Sequence, residues 1–130
     1  MKPIDEIREF FKADRFATEN GAVIDEVGED FAVCSLEIKD GHKNAAGGVM
    51  GGVPFMLADF AFAVAVNHEV MRTVSISSNI DFVGVCKGSR LIATASCVKN
   101  GRNVCYYNIE ICDDLGNKVA VVSITGFNKN

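Results

Sequence analysis

The sequence predicts an α+β domain in which a curved antiparallel sheet wraps one buried helix. Three observations carry this. Residues 53–66 are apolar on every side apart from a single acid, and such a helix must be surrounded by protein. The stretches before and after it alternate as strands and are separated by turn residues. The chain has 130 residues, of which 48% are hydrophobic, enough for one domain over residues 1–130 with a substantial core.

Pro3 ahead of Asp5 and Glu6 is a good helix start, and Ile4, Ile7, Phe10 and Phe11 recur at helical spacing, so a short amphipathic helix is expected over residues 4–13. Residues 20–27 are strand-like. After a turn at Gly28-Glu29-Asp30, residues 31–39 place Ala32, Cys34, Leu36 and Ile38 on one face, so the two strands suit a hairpin. Pro54 lies near the start of the buried helix, where its missing N–H matters little, and Asn67-His68-Glu69 ends it with His68 toward solvent. Residues 73–83 alternate Val74, Ile76, Ile80 and Phe82 against Ser75, Ser77, Asn79 and Asp81. Strands over 91–98, 104–112 and 119–127 follow, with turns at Lys87-Gly88, Asn100-Gly101 and 113–117. Turns this short predict that the last four strands form an antiparallel meander. One small sheet cannot cover the helix on all sides, so a second copy of the chain is expected to complete the cover.

The composition narrows the function. Net charge is −4, from 13 basic and 17 acidic residues, with no basic cluster on one segment, so nucleic acid is not an expected partner. An acidic balance still permits a phosphorylated ligand, held by a few local cations or backbone N–H groups. The five cysteines, Cys34, Cys86, Cys97, Cys105 and Cys112, are dispersed without a CxxC pair, which points to a reducing, cytoplasmic location. Neither they nor His42 and His68 have metal-ligand spacing, so no metal is expected. The apolar run is short of the roughly 20 residues that span a membrane, and it carries Asp59.

The chemistry concentrates in residues 42–59, HKNAAGGVMGGVPFMLAD: a polar turn, a glycine-rich loop, and an apolar helix containing the lone Asp59. An acid in such a run is unfavourable unless it has a partner or a task. The element order, with His42, Asn44, Gly47, Gly51, Gly52 and Asp59 at their spacings, resembles the hotdog fold. Within it the chain is similar to the phenylacetate-pathway (PaaI-like) acyl-CoA thioesterases of the 4-hydroxybenzoyl-CoA thioesterase superfamily. Met50 departs from the pattern, since that branch usually has histidine before the glycine pair.

The resemblance implies hydrolysis of an aryl- or medium-chain acyl-CoA in a homodimer or dimer of dimers. No cofactor is implied, because coenzyme A is part of the substrate. Asp59 is the expected nucleophile or general base, and the Gly51 and Gly52 N–H groups, at the positive end of the helix dipole, the expected oxyanion donors. Asp59 lies roughly 12 Å along the helix from Gly51, which would place acid and donors of one site in different subunits. Asn44 would position water, unless it only makes an Asx-turn, and Ser75 would bond Asp59 or water. His42 is expected to be structural rather than catalytic and, with Met50 and Phe55, to border the substrate site. Arg90, Lys99 and Arg102 either line the phosphate path of coenzyme A or form a solvated hairpin tip. The competing readings are a non-catalytic acyl-CoA-binding module and a hotdog hydratase or dehydratase.

Overall fold

The computed structural model describes residues 1–129. Two helices, α1 (Ile4–Phe11) and α2 (Arg15–Glu19), precede the hairpin of β1 (Val23–Gly28) and β2 (Phe31–Glu37). The loop of residues 38–51 begins with one 3-10 turn, Asp40–His42, and opens the long α3 (Gly52–Asn67). Strands β3 (Thr73–Phe82), β4 (Arg90–Asn100), β5 (Val104–Asp113) and β6 (Lys118–Asn128) complete one six-stranded antiparallel sheet in the order β1-β2-β4-β5-β6-β3. The sheet curves around α3, which lies mainly against β2 and β4.

Inward residues alternate as the pattern requires. Ala32, Cys34 and Leu36 on β2, Leu91, Ala93 and Ala95 on β4, and Ile109 on β5 are wholly buried. Alanines at 32, 93 and 95 leave room for the helix, whose Leu57, Ala58, Ala61 and Val64 have no exposed surface. Buried Asn67 turns the chain from α3 into β3. Its Nδ2 donates to the Thr73 carbonyl at 2.9 Å, and its Oδ1 accepts the N–H groups of Arg72 and Thr73 at 3.0 and 2.9 Å.

The expected four-strand meander is corrected. β4, β5 and β6 are consecutive, but β3 pairs with β6 at the sheet edge. The connection from β3 to β4 is therefore not a tight turn at Lys87-Gly88. It runs across the sheet end, where the N–H groups of Val83 and Gly84 donate to the Val119 carbonyl. The Asp113 carboxylate accepts from the N–H groups of Lys87 and Gly88 at 2.8 and 3.0 Å, and Asp114 accepts from the Ser89 N–H at 2.9 Å. The crossing passes so near the strands that a Cβ on Gly84 would lie 2.1 Å from the Lys118 carbonyl oxygen.

The expected alternation along β3 also fails, because a bulge between Ser75 and Ser77 shifts the phase. Ser75, Ser78, Ile80 and Phe82 pair with the buried Gly126, Ile124, Val122 and Ala120 of β6 and share their side of the sheet. Val74 pairs with the exposed Phe127 on the other side. His68 is a further correction. Its ring is packed, with Nδ1 3.0 Å from the Val64 carbonyl oxygen.

Candidate active site

α3 is not covered all round. Gly52, Phe55 and Asp59 are exposed, and Met56, Ala63 and Val66 are half-buried. Their spacing of three, four and seven makes one open stripe along the helix. Alongside it runs β3, the edge strand, with Ile76 59% and Phe82 57% exposed. The stripe and the strand frame a depression of about 390 Å³ lined by Gly52, Phe55, Met56, Asp59, Ser75 and Ser78, with Phe16 of α2 at its rim. A second depression, about 350 Å³, adjoins Asp59 from the other side and is lined by Asp14, Arg15, Phe16, Met56 and Phe60.

Asp59 is the only carboxylate in the apolar run. Among the described residues nothing hydrogen-bonds or ion-pairs with it. Solvent reaches the residue, yet the apolar flank of Phe55, Met56 and Phe60 withdraws water from the carboxyl. That desolvation, with the nearby Asp14 charge as the smaller contribution, holds its pKa above the ordinary carboxylate value. A raised, unpartnered acid is suited to taking up a proton or attacking an electrophile.

The loop ahead of α3 is closed on itself. The Met50 N–H donates to the His42 carbonyl at 2.9 Å, the Asn44 N–H donates to the Gly48 carbonyl at 2.7 Å, and Gly47 turns the chain with φ +87°. Asn44 Oδ1 accepts the N–H groups of Ala46 and Gly48 at 3.0 and 3.1 Å, which is the Asx arrangement. The loop delivers Gly51 and Gly52 to the helix start. Among the described residues neither of their N–H groups has a hydrogen-bond partner. The two glycines differ sterically. A Cβ on Gly51 would meet the Phe82 ring at 2.9 Å, whereas one on Gly52 would meet nothing, so Gly52 leaves open space at the mouth of the depression.

One protomer thus brings Gly52, Phe55, Asp59 and Ser75 together, though Ser75 makes no hydrogen bond to Asp59. The other expected site residues lie apart. Met50 is 57% exposed on the loop. The buried His42 ring has no free nitrogen. Nδ1 accepts the Lys39 N–H at 2.9 Å, so Nε2 carries the proton and donates to the Asn20 carbonyl at 2.7 Å. His42 is therefore a prop of the loop, in line with its structural reading, and the expectation that it also contacts substrate is corrected. Arg90 is also corrected as a companion of Lys99 and Arg102. It starts β4 while Lys99 lies near the other end, about 30 Å away by strand rise. Its guanidinium donates to Ser35 Oγ at 3.0 and 3.2 Å, and Ser35 donates in turn to Asp25. Lys99 and Arg102 are exposed by the β4–β5 turn and, among the described residues, form no ion pair.

Two residues beside Asp59 escape the sequence reading. Asp14 and Phe16 belong to α2, a helix of five residues, and to its cap. An acid before Arg15-Phe16-Ala17 is a capping signal, but so short a helix has no periodicity to register.

Residues 46–120 match the model of the thioesterase superfamily. The acyl-coenzyme A thioesterase PaaI of Escherichia coli K12 is 32% identical over 112 residues, 85% of this chain and 80% of that protein. The structure of E. coli PaaI, from the phenylacetic acid degradation operon, superposes with a TM-score of 0.87 at 28% identity, covering 94% of this chain and 89% of that one. A variant of the phenylacetic acid degradation protein PaaI from Thermus thermophilus gives 0.82 at 28% identity, over 88% and 99% of the two chains. The curved six-stranded sheet and its long central helix agree with these likenesses, and the chain belongs to the thioesterase superfamily as a PaaI-like thioester hydrolase of the hotdog fold.

Proposed function

We propose that this protein hydrolyses an acyl-CoA with an apolar acyl group, releasing the free acid and coenzyme A. The observation that carries this reading is the placement, on an uncovered stripe of α3, of a carboxylate and helix-start N–H groups that have no hydrogen-bond partner among the described residues. The Gly51 and Gly52 N–H groups receive the thioester oxygen as it gains negative charge. Asp59 either removes a proton from an attacking water or attacks the carbonyl carbon itself and is freed by water in a second step. In both routes the C–S bond breaks and the sulfur leaves with the electron pair. Ser75, on the wall of the depression that holds Asp59, is assigned to hold that water, the Asn44 amide nitrogen of the other copy is assigned to position it, and Phe55 and Met56 bound the acyl group.

Met50 fits this scheme. It cannot donate a proton to the leaving group. A thiol is far more acidic than an alcohol and leaves as the thiolate without one, and the proton follows from solvent.

The working unit is a dimer. A carbonyl held at Gly52 is about 10 Å from its own Asp59 by helix rise, so each site joins the donors of one copy to the acid of another. Support comes from β3, an edge strand with an unpaired backbone edge beside the open stripe, the kind of surface a second copy covers. Lys99 and Arg102, cations at the β4–β5 turn that form no ion pair among the described residues, are assigned to the phosphates of coenzyme A.

The test is thiol release from a panel of acyl-CoAs by the purified protein, with light scattering on the same sample. Hydrolysis of benzoyl- or octanoyl-CoA by a dimer or tetramer is expected. Tight binding with no thiol released from any acyl-CoA would replace this reading by the non-catalytic acyl-CoA-binding one, and an active monomer would end the shared site.

A further inference from the structure

We propose that Phe16, carried beside Asp59 by the short helix α2, is the residue that selects the acyl group. In α2, Ala17 is the residue turned into the core, 7% exposed, while its neighbour Phe16 is left 75% exposed, the most exposed aromatic in the chain. Single exposed apolar residues are ordinary. This one stands at the junction of both depressions that adjoin Asp59 and lines each of them together with Met56.

The segment that holds it is pinned on both sides. The Thr18 N–H donates to the Asp14 carbonyl at 3.0 Å, and the Thr18 hydroxyl donates to the same oxygen at 3.1 Å. Asn20 Nδ2 donates to the Phe16 carbonyl itself at 2.7 Å, and the Ala22 N–H donates to the Ala17 carbonyl at 3.0 Å. The ring is thus presented from a fixed backbone, which limits the entropy lost when a ligand settles against it.

The two depressions differ in chemistry. The one that holds Gly52 and Ser75 has Phe16, Phe55 and Met56 as its apolar walls, with Asp59 at its polar end. The other adds Asp14 and Arg15 and suits water better than carbon. An acyl chain whose carbonyl lies near Asp59 therefore packs against Phe55, Met56 and Phe16. Two carbons bury too little apolar surface to gain much from that ring. A benzoyl group or a medium-length chain covers it, and the paired aromatic walls favour the flat group.

This inference rests on the acyl-CoA reading of the site, and its test separates the two. Phe16→Ala and the unchanged protein are compared on acetyl-, octanoyl- and benzoyl-CoA, by kcat/KM from thiol release and by Kd from calorimetry in an Asp59→Asn background. The expected result is a fall of about tenfold or more in kcat/KM on octanoyl- and benzoyl-CoA, carried by KM, with acetyl-CoA changed less than about twofold. Phe16→Leu should keep octanoyl-CoA and lose benzoyl-CoA. An equal fall on all three substrates, or no change on any, overturns the selector role and leaves thioester hydrolysis standing. If the unchanged protein hydrolyses none of them, calorimetry decides. A Kd preference for the longer groups that Phe16→Ala erases upholds the selector and ends the hydrolytic reading, and equal Kd values overturn the selector as well.

Discussion

Gly126 of β6 pairs with Ser75 in the sheet, directly behind the proposed site. A Cβ at this position would lie 2.8 Å from Cys105 Sγ, 2.8 Å from Phe62 Cζ and 3.0 Å from Thr73 Cγ2. None of these can step aside, since Cys105 is 1%, Phe62 2% and Thr73 5% exposed, and the Phe62 ring is also packed edge-on against Tyr107. Gly126→Ala is therefore an overpacking substitution costing about 1–3 kcal/mol. An unfolding entropy near 2.1 cal/mol/K per residue over 130 residues makes each kcal/mol worth about 4 °C, so Tm should fall by about 4–11 °C. The measurement is thermal unfolding by circular dichroism at one fixed protein concentration, because association shifts Tm. Removing one obstructing atom group should relieve part of the loss. Gly126→Ala combined with Cys105→Ala should be more stable than the sum of the single effects by about 0.5 kcal/mol or more. A Tm for Gly126→Ala equal to that of the unchanged protein, or a coupling of zero, would refute this account of the packing between α3, β5 and β6.

Other consequences follow from the carboxylates and cations. Burial alone would raise the pKa of Asp113, but hydrogen bonds from Asn117, Lys87 and Gly88 outweigh it and hold the group well below its ordinary value. Its stabilising contribution is present above the unfolded pKa and lost as pH falls through the folded one, so Asp113→Asn should lower Tm at pH 7 and progressively less below about pH 4. Asp59 has the opposite sign. Its folded pKa is raised, so ionising it disfavours the fold. Asp59→Asn should raise Tm at pH 7, and the gain should vanish below the ordinary carboxylate pKa of about 3.9. Lys99→Ser with Arg102→Ser should raise KM for acyl-CoA severalfold at low salt and less at high salt, whereas Arg90→Met, which breaks the bond to Ser35, should change Tm and leave KM alone.

What could be read from the sequence follows physical lines. α3 was legible because no other arrangement accepts eleven nearly consecutive apolar side chains from Phe55 to Val66 around one acid, and Asp59 was legible for the same reason. The β1–β2 hairpin and the β4–β5 turn at Asn100-Gly101 were set by local chemistry. The place of β3 was not, because the connection to β4 looks like a turn of ordinary length. It crosses two strands, and the bonds that hold it there, from Val83 and Gly84 to Val119 and from Lys87, Gly88 and Ser89 to Asp113 and Asp114, join residues distant in sequence. The bulge at residues 75–77 left no mark in a stretch already rich in serine, so Ser78 was missed as a companion of Ser75. The spacing of His42 matches a motif, but nothing in the sequence says what its ring bonds to. Its commitment to the Lys39 and Asn20 backbone depends on a fold that brings residue 20 against residue 42.

The central claim is that Asp59 carries the hydrolysis, and the turnover of Asp59→Asn tests it most directly. Asparagine keeps the shape and removes the charge and the basicity. With folding verified by Tm, the variant should release thiol from benzoyl- or octanoyl-CoA at least about 10²-fold more slowly than the unchanged protein, the usual scale for an essential acid–base group. Turnover within about threefold of the unchanged protein would contradict the account and remove Asp59 from the chemistry.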